Sequence, residues 1–196
     1  IVDSLVGSEM CIRDRVKGAY WDQEIKIHQT KGADDLPVFT SKSFTDLNYL
    51  HTAKLISNTK NIRPYFATHN AHTISAIMHL YSNKEKNFEF QRIFGMGDLT
   101  YRKAEKVFDD LPLTRIYAPV GSKKELLPYL VRRLLENGAN SSFVNKYLSS
   151  EVPVSEVVKN PIEIANANLQ SRTFLENVKR PHEIFIDRKN SKGFDY

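Results

Sequence analysis

The chain reads as an α/β fold built around a parallel sheet. Short apolar runs with strand character alternate with longer segments of helical periodicity, and each run is followed by a turn and a helix instead of a second strand. A βαβα order of this kind joins its strands in parallel. Polar and aromatic residues also cluster just after the apolar runs, at what would be one common end of the sheet. That end is where parallel sheets bind their ligands.

Strands are expected at residues 16–19, 65–68, 88–91 and 115–120. Tyr20 and Trp21 follow the first, and Thr45 and Asp46 begin a helix that carries Leu47, Leu50 and Ala53. His69 and Asn70 follow the second, after which Ile74, Ile77, Met78 and Tyr81 recur at i, i+3, i+4 and i+7. Gln91 and Arg92 end the third, and its helix spans residues 100–107. Tyr117 lies in the fourth, which leads through a Pro-Gly turn into a helix marked by Leu127, Leu130, Val131 and Leu134. Beyond Ser150 the pattern weakens to the short helical pieces VPVSEVV and PIEIANANL, the latter opened by Pro161. Residues 171–196 are polar and aperiodic, as in a linker or docking tail.

At 196 residues and 41% hydrophobic content the chain has enough material for one ordinary core. No stretch approaches the about 18 consecutive apolar residues of a membrane span. The net charge of +5 suits anionic ligands. The basic residues are scattered, however, and no basic stripe interleaves with aromatics, which argues against a nucleic-acid module. A single cysteine excludes an internal disulfide framework and points to a reducing compartment. The first fifteen residues, IVDSLVGSEMCIRDR, resemble translated sequencing-adapter read-through and stand apart from the fold expectation.

The last long helix carries the sharpest chemical signal. Arg132 and Arg133 are adjacent, and Glu136 lies four and three residues further on, so the three heads can gather at one end of a pocket. Paired guanidiniums repel unless an anion lies between them, and each can grip a carboxylate through two parallel hydrogen bonds. With Glu136 available for an ammonium, the cluster fits an amino-acid ligand. The same spacing equally fits a solvated helix face with an intrahelical ion pair. His69 and His72, three apart in FATHNAHT, lack the acidic or cysteine companions of a metal site. APVGSKK is a faint version of the Gly-rich loop that a barrel enzyme acting on a phosphorylated substrate would need.

Five motifs occur in order: VKGAYWDQEIK, PVFTSKSFTD, FATHNAHT, FEFQRIFGMGD and RIYAPVG followed by YLVRRLLENGANSSFVN. Together they resemble the proline dehydrogenase domain of bacterial bifunctional proline utilization A flavoenzymes, over residues 16–160. The resemblance implies a (β/α)8 TIM-type barrel, present here only as its C-terminal half with an irregular tail. It implies a cytoplasmic enzyme that oxidises L-proline to Δ1-pyrroline-5-carboxylate and passes electrons through FAD to a quinone at the membrane surface. Residues 161–196 would connect to an aldehyde dehydrogenase domain.

By the same resemblance Arg132 and Arg133 grip the proline carboxylate, Glu136 joins them and Tyr117 packs on the proline ring. Gly18, Ala19, Tyr20 and Trp21 match a loop against the flavin, and Thr40, Lys42 and Thr45 a second flavin loop. Ala67, Thr68, His69 and Asn70 match the sixth-strand contacts, Gln91 and Arg92 the seventh-strand contacts, and Phe143 the adenosine end. Lys42 and His69 are the cations expected for the pyrophosphate. The chain departs from the family at Asp14, where an arginine would contact flavin N5, with Arg15 displaced by one. It departs again at Ser41, which replaces a basic residue, and at Arg92 and Phe94, which replace a small residue and a histidine. The family's first four βα units, with a lysine, an aspartate and a glutamine of the pocket, have no match, so these residues alone are expected to be inactive.

Overall fold

The computed structural model describes residues 11–17, 21–33, 35–138, 153, 155, 159–171 and 178, with the side chains of 136–138 excepted. The chain divides into two compact units, Ile1–Lys17 with Tyr49–Val158 and Gly18–Asn48 with Lys159–Tyr196, the boundary falling inside one helix.

The first unit holds a 4-stranded parallel sheet in the order β1-β2-β3-β4: Cys11–Arg15, Ile62–Ala67, Glu89–Ile93 and Thr114–Tyr117. The connections run through α2 (Lys42–Ser57), α3 (Ala71–Leu80) and α4 (Asp98–Val107), and α5 (Lys123–Gly138) follows β4. The alternation and parallel pairing agree with the sequence reading, whereas the strand bounds shift. β1 lies at Cys11–Arg15, inside the segment set apart and ahead of residues 16–19. Here Cys11 N–H donates to Asn61 C=O at 2.7 Å and a regular ladder runs to Arg15↔Phe66. β2 starts at Ile62 and contains Pro64, which as a residue without an N–H argues for a later start. Thr68 N–H points to β3, where it meets Gln91 C=O, so the even-numbered residues of β2 face β3. Pro64 lies one residue before the β2–β3 ladder opens at Tyr65↔Glu89, and its missing donor costs no rung.

Alternation gives the sheet two unlike faces. Phe66 and Phe90 pack with Phe88 beneath Tyr49 and Ala53 of α2, Ile74, Ile77 and Met78 of α3, Tyr81, and Tyr101 and Ala104 of α4. Edge-on aromatic contacts, such as Phe88–Phe90 at 5.3 Å and Phe66–Phe88 at 5.5 Å, tie this core together. The other face carries Asp14, Arg63, Tyr65, Glu89, Gln91, Arg115 and Tyr117. At its amino end the buried Glu89 bridges Arg63 at 2.8 Å and Arg115 at 2.7 Å.

The second unit contains α1 (Trp21–Lys31), the first turns of α2, and α6 (Pro161–Ser171). Periodicity did not signal α1, because WDQEIKIHQTK is mostly polar and buries only Ile25. α2 begins three residues before Thr45, at Lys42. α6 is held there by Asn168, whose amide donates to Ser41 Oγ at 3.0 Å and Ser43 Oγ at 3.2 Å.

Candidate active site

Apart from Arg92, the predicted residues described in the first unit lie toward the carboxyl ends of the strands. Thr68 is buried just past β2, and its Oγ1 accepts the Asn70 N–H at 3.1 Å. Asn70 then caps α3, with Oδ1 accepting from Thr73 N–H at 3.3 Å, so the chain leaves β2 directly into a helix. His69 lies between them, and its Nε2 accepts the Ile93 N–H at 3.1 Å. Gly97, at φ 73°, packs against the imidazole: a Cβ there would stand 3.0 Å from His69 Cδ2.

Burial, then the guanidiniums of Arg133 and Arg92, push His69 down to about 4. An imidazole that accepts at Nε2 and stays neutral carries its proton on Nδ1. His69 is therefore a fixed neutral donor, not the pyrophosphate cation that the motif suggests. Lys42 belongs to the second unit and is engaged by Asp46 at 2.5 Å, one turn along α2.

α5 turns an unexpected side inward. Leu126, Tyr129, Arg132 and Arg133 are half-buried, whereas Leu127, Leu130, Val131 and Leu134 are exposed. The Arg133 guanidinium lies 5.5 Å from the Tyr129 ring centre, and its charge reaches His69. Tyr117 closes β4 opposite Ile93, with its C=O accepting the Phe94 N–H at 2.8 Å. On this open face Gln91 donates its amide to Asp14 Oδ1 at 3.0 Å, beside Ala67 in register. Arg92 does not join Gln91. As the next residue along β3 it points to the helix side, where it pairs with Asp98, donates to Met96 C=O at 3.1 Å and lines a cleft with Tyr101, Thr114 and Ile116.

In the second unit, Trp21 donates its indole N–H to Phe39 C=O at 2.7 Å, Thr40 precedes α2, and Thr45 lies in its first turn. Gly18, Ala19, Tyr20, Phe143 and the Glu136 side chain lie outside the described residues. Among the described residues no three His, Cys, Asp or Glu side chains are grouped to hold a metal ion. Tyr101 and Gly97 belong to the site's support; Gly97 stands in the FEFQRIFGMGD motif without a role given to it and Tyr101 lies beyond that motif, because their contacts appear only once the strand ends are assembled.

A parallel sheet with helices packed on it, and with an arginine pair, a neutral imidazole and side-chain amides toward its strand ends, marks an α/β domain of the kind that carries its site at those ends. The sequence profile of the proline dehydrogenase family matches residues 10–146, and the chain belongs to that family. It is 44% identical over 191 residues to the bifunctional protein PutA of Salmonella typhimurium, which covers 92% of this chain and 14% of the relative. It is 30% identical to the mitochondrial proline dehydrogenase 1 of Dictyostelium discoideum, over 70% of this chain and 26% of that one. Bradyrhizobium japonicum proline utilization A superposes with a TM-score of 0.83 at 43% identity, covering 94% of this chain and 19% of that chain. The chain thus spans about one-seventh of the length of the PutA relative.

Proposed function

We propose that this chain supplies the carboxylate grip and part of the cofactor contacts of an enzyme that oxidises L-proline to Δ1-pyrroline-5-carboxylate. The observation that carries this reading is the placement of Arg132 and Arg133 on the inward side of α5, while the leucines of the same helix remain outside. Two adjacent guanidiniums can fix a small carboxylate bidentately, and fixing it aims the ring carbon and nitrogen of the substrate at one place. Tyr117, at the neighbouring strand end, is positioned to bound the ring. Glu136, on the same helix, supplies the carboxylate for the ring nitrogen.

The donor set fits a large anionic cofactor rich in acceptors. His69 offers Nδ1–H, Arg133 a cation, and Asn70 stands at the start of α3, whose N-terminus favours negative charge. Asp14 is the exception, because its carboxylate holds the Gln91 amide where the family resemblance calls for an arginine. FAD bound there would supply the two-electron acceptor and the relay to a quinone. The chain's own work is to bind the carboxylate, orient the ring and hold a neutral donor at the β2 end.

The finer fold reading is that β1 to β4 are the last four βα units of a (β/α)8 barrel, with residues 161–196 leading toward an aldehyde dehydrogenase domain. Turnover would occur on the cytoplasmic side of a membrane. No described helix is long and apolar enough to cross one. Turnover by these residues alone is not expected, since the pocket lysine, aspartate and glutamine fall outside the matched span. The test is to add, in trans, a polypeptide with the first four βα units of the Salmonella relative. Flavin absorbance and proline-dependent dye reduction should then appear, and Arg133→Met should abolish the reduction. Flavin uptake without any response to proline would overturn the substrate assignment.

A further inference from the structure

We propose that Tyr101 is a positioning residue that, together with His69, splits one rung of the β2–β3 ladder and so opens the crevice at the strand ends. In a parallel ladder each residue that points to its neighbour donates to one residue of the partner strand and accepts from the residue two further on. Thr68 obeys the first half, its N–H meeting Gln91 C=O at 3.2 Å. The second half would be Ile93 N–H to Thr68 C=O. Instead Ile93 N–H is taken by His69 Nε2 at 3.1 Å, and Thr68 C=O is taken by the Tyr101 hydroxyl at 2.9 Å. Two side chains stand where one backbone bond would close the sheet.

Each half of the exchange needs the other. A buried carbonyl left without its partner costs about 1–3 kcal/mol, and so does an orphaned N–H. If His69 alone captured Ile93, Thr68 would be stranded. If Tyr101 alone capped Thr68, Ile93 would be. The surroundings of Tyr101 fix its hydroxyl in place. The residue is 2% exposed, its ring stands edge-on to Phe90 at 5.9 Å, and its own N–H is anchored to Gly97 C=O at 3.0 Å. Burial raises its phenol above the ordinary range, so the hydroxyl remains a donor. Gly97 completes the assembly, since a side chain there would stand against both His69 and Tyr101. The split rung frees His69 to present Nδ1–H at the end of β2 and carries Thr68–Asn70 away from β3.

The assignment of this crevice to a flavin rests on the function proposed above, whereas the split rung is tested without ligand. Amide hydrogen exchange at Ile93 is measured in the full chain, in Tyr101→Phe, in His69→Ala and in the double variant. His69→Ala should raise Ile93 exchange about tenfold, the size of one ordinary hydrogen bond, because Tyr101 still occupies Thr68 C=O, whereas Tyr101→Phe should leave it unchanged, because Ile93 N–H keeps His69 Nε2. The double variant should restore protection, because Ile93 N–H and Thr68 C=O are then free to pair with each other. A residue that merely fills the core would not produce that reversal. Exchange in the double variant as fast as in His69→Ala overturns the proposal. Should Tyr101→Phe not fold, 3-fluorotyrosine at position 101 strengthens the donor, and a Thr68 carbonyl carbon resonance unmoved by it overturns the proposal equally. Failure of FAD to alter exchange at Thr68–Asn70 in the unsubstituted chain would count against the flavin reading and leave the split rung standing.

Discussion

Lowering the pH should destabilise this protein through His69. The imidazole is held near pKa 4 against an ordinary 6.5, first by burial and then by Arg133 and Arg92. In the window between those values the unfolded chain binds a proton that the folded chain refuses. Stability therefore rises with pH across the window: the contribution is complete above 6.5 and is lost as pH falls toward 4. A separation of 2.5 units at about 1.36 kcal/mol per unit gives about 3 kcal/mol, a large part of the margin of an ordinary domain. Protonation also removes the acceptor for Ile93 N–H, so charge and hydrogen bonding act in the same direction. The assay is urea unfolding from pH 7 to pH 4, on the chain and on His69→Gln, whose amide oxygen can accept from Ile93 but does not titrate. The stability of the unsubstituted chain should drop about 3 kcal/mol further than that of the variant, with carboxylate titrations common to both cancelling. Parallel curves, or a His69 NMR titration centred at 6.5, would refute the reasoning.

Phe66 is fully buried and touches Tyr49, Tyr81 and Phe88, so Phe66→Ala should cost about 3–5 kcal/mol, read as a lower denaturant midpoint. Gly95 and Gly97 share positive φ, but only Gly97 has neighbours where a Cβ would go. Gly95→Ala should therefore cost about 1 kcal/mol of backbone strain, and Gly97→Ala about 1–2 kcal/mol more, with a displaced His69 resonance; equal melting temperatures would contradict the contact. Arg133→Lys keeps the charge and loses the bidentate fork, and should weaken a proline-ring carboxylate about tenfold by KM in the trans-complemented enzyme, with stability nearly unchanged.

The alternation of strands and helices was legible because each signal is local. Ile74, Ile77 and Met78 bury one side of α3 as their spacing requires. The strand bounds were less legible where a single residue misleads, as at Pro64, whose absent donor matters only if the neighbouring strand has already begun. Adjacent site residues were harder still. Gln91 and Arg92 read as one cluster in sequence, yet a strand sends neighbours to opposite faces, and Arg92 ends among α4 side chains. The His69 motif gave its position but not its protonation, which depends first on burial in the assembled fold and then on Arg133 and Arg92. Tyr101 was invisible for the same reason, since its partner carbonyl is 33 residues away.

The orientation of α5 separates stability from function. Leu127, Leu130, Val131 and Leu134 form a stripe that could have covered the sheet, at about 1.5–3 kcal/mol for each leucine-sized side chain fully buried. The fold leaves them at 45–71% exposure and turns in Leu126, Tyr129, Arg132 and Arg133. Half-burying two adjacent guanidiniums opposes folding through desolvation and mutual repulsion. The apolar burial that the leucine stripe would have given is thus left unused in this rotation. Under the proposed function a substrate carboxylate between the two guanidiniums would lower that repulsion, which would tie this rotation of the helix to binding.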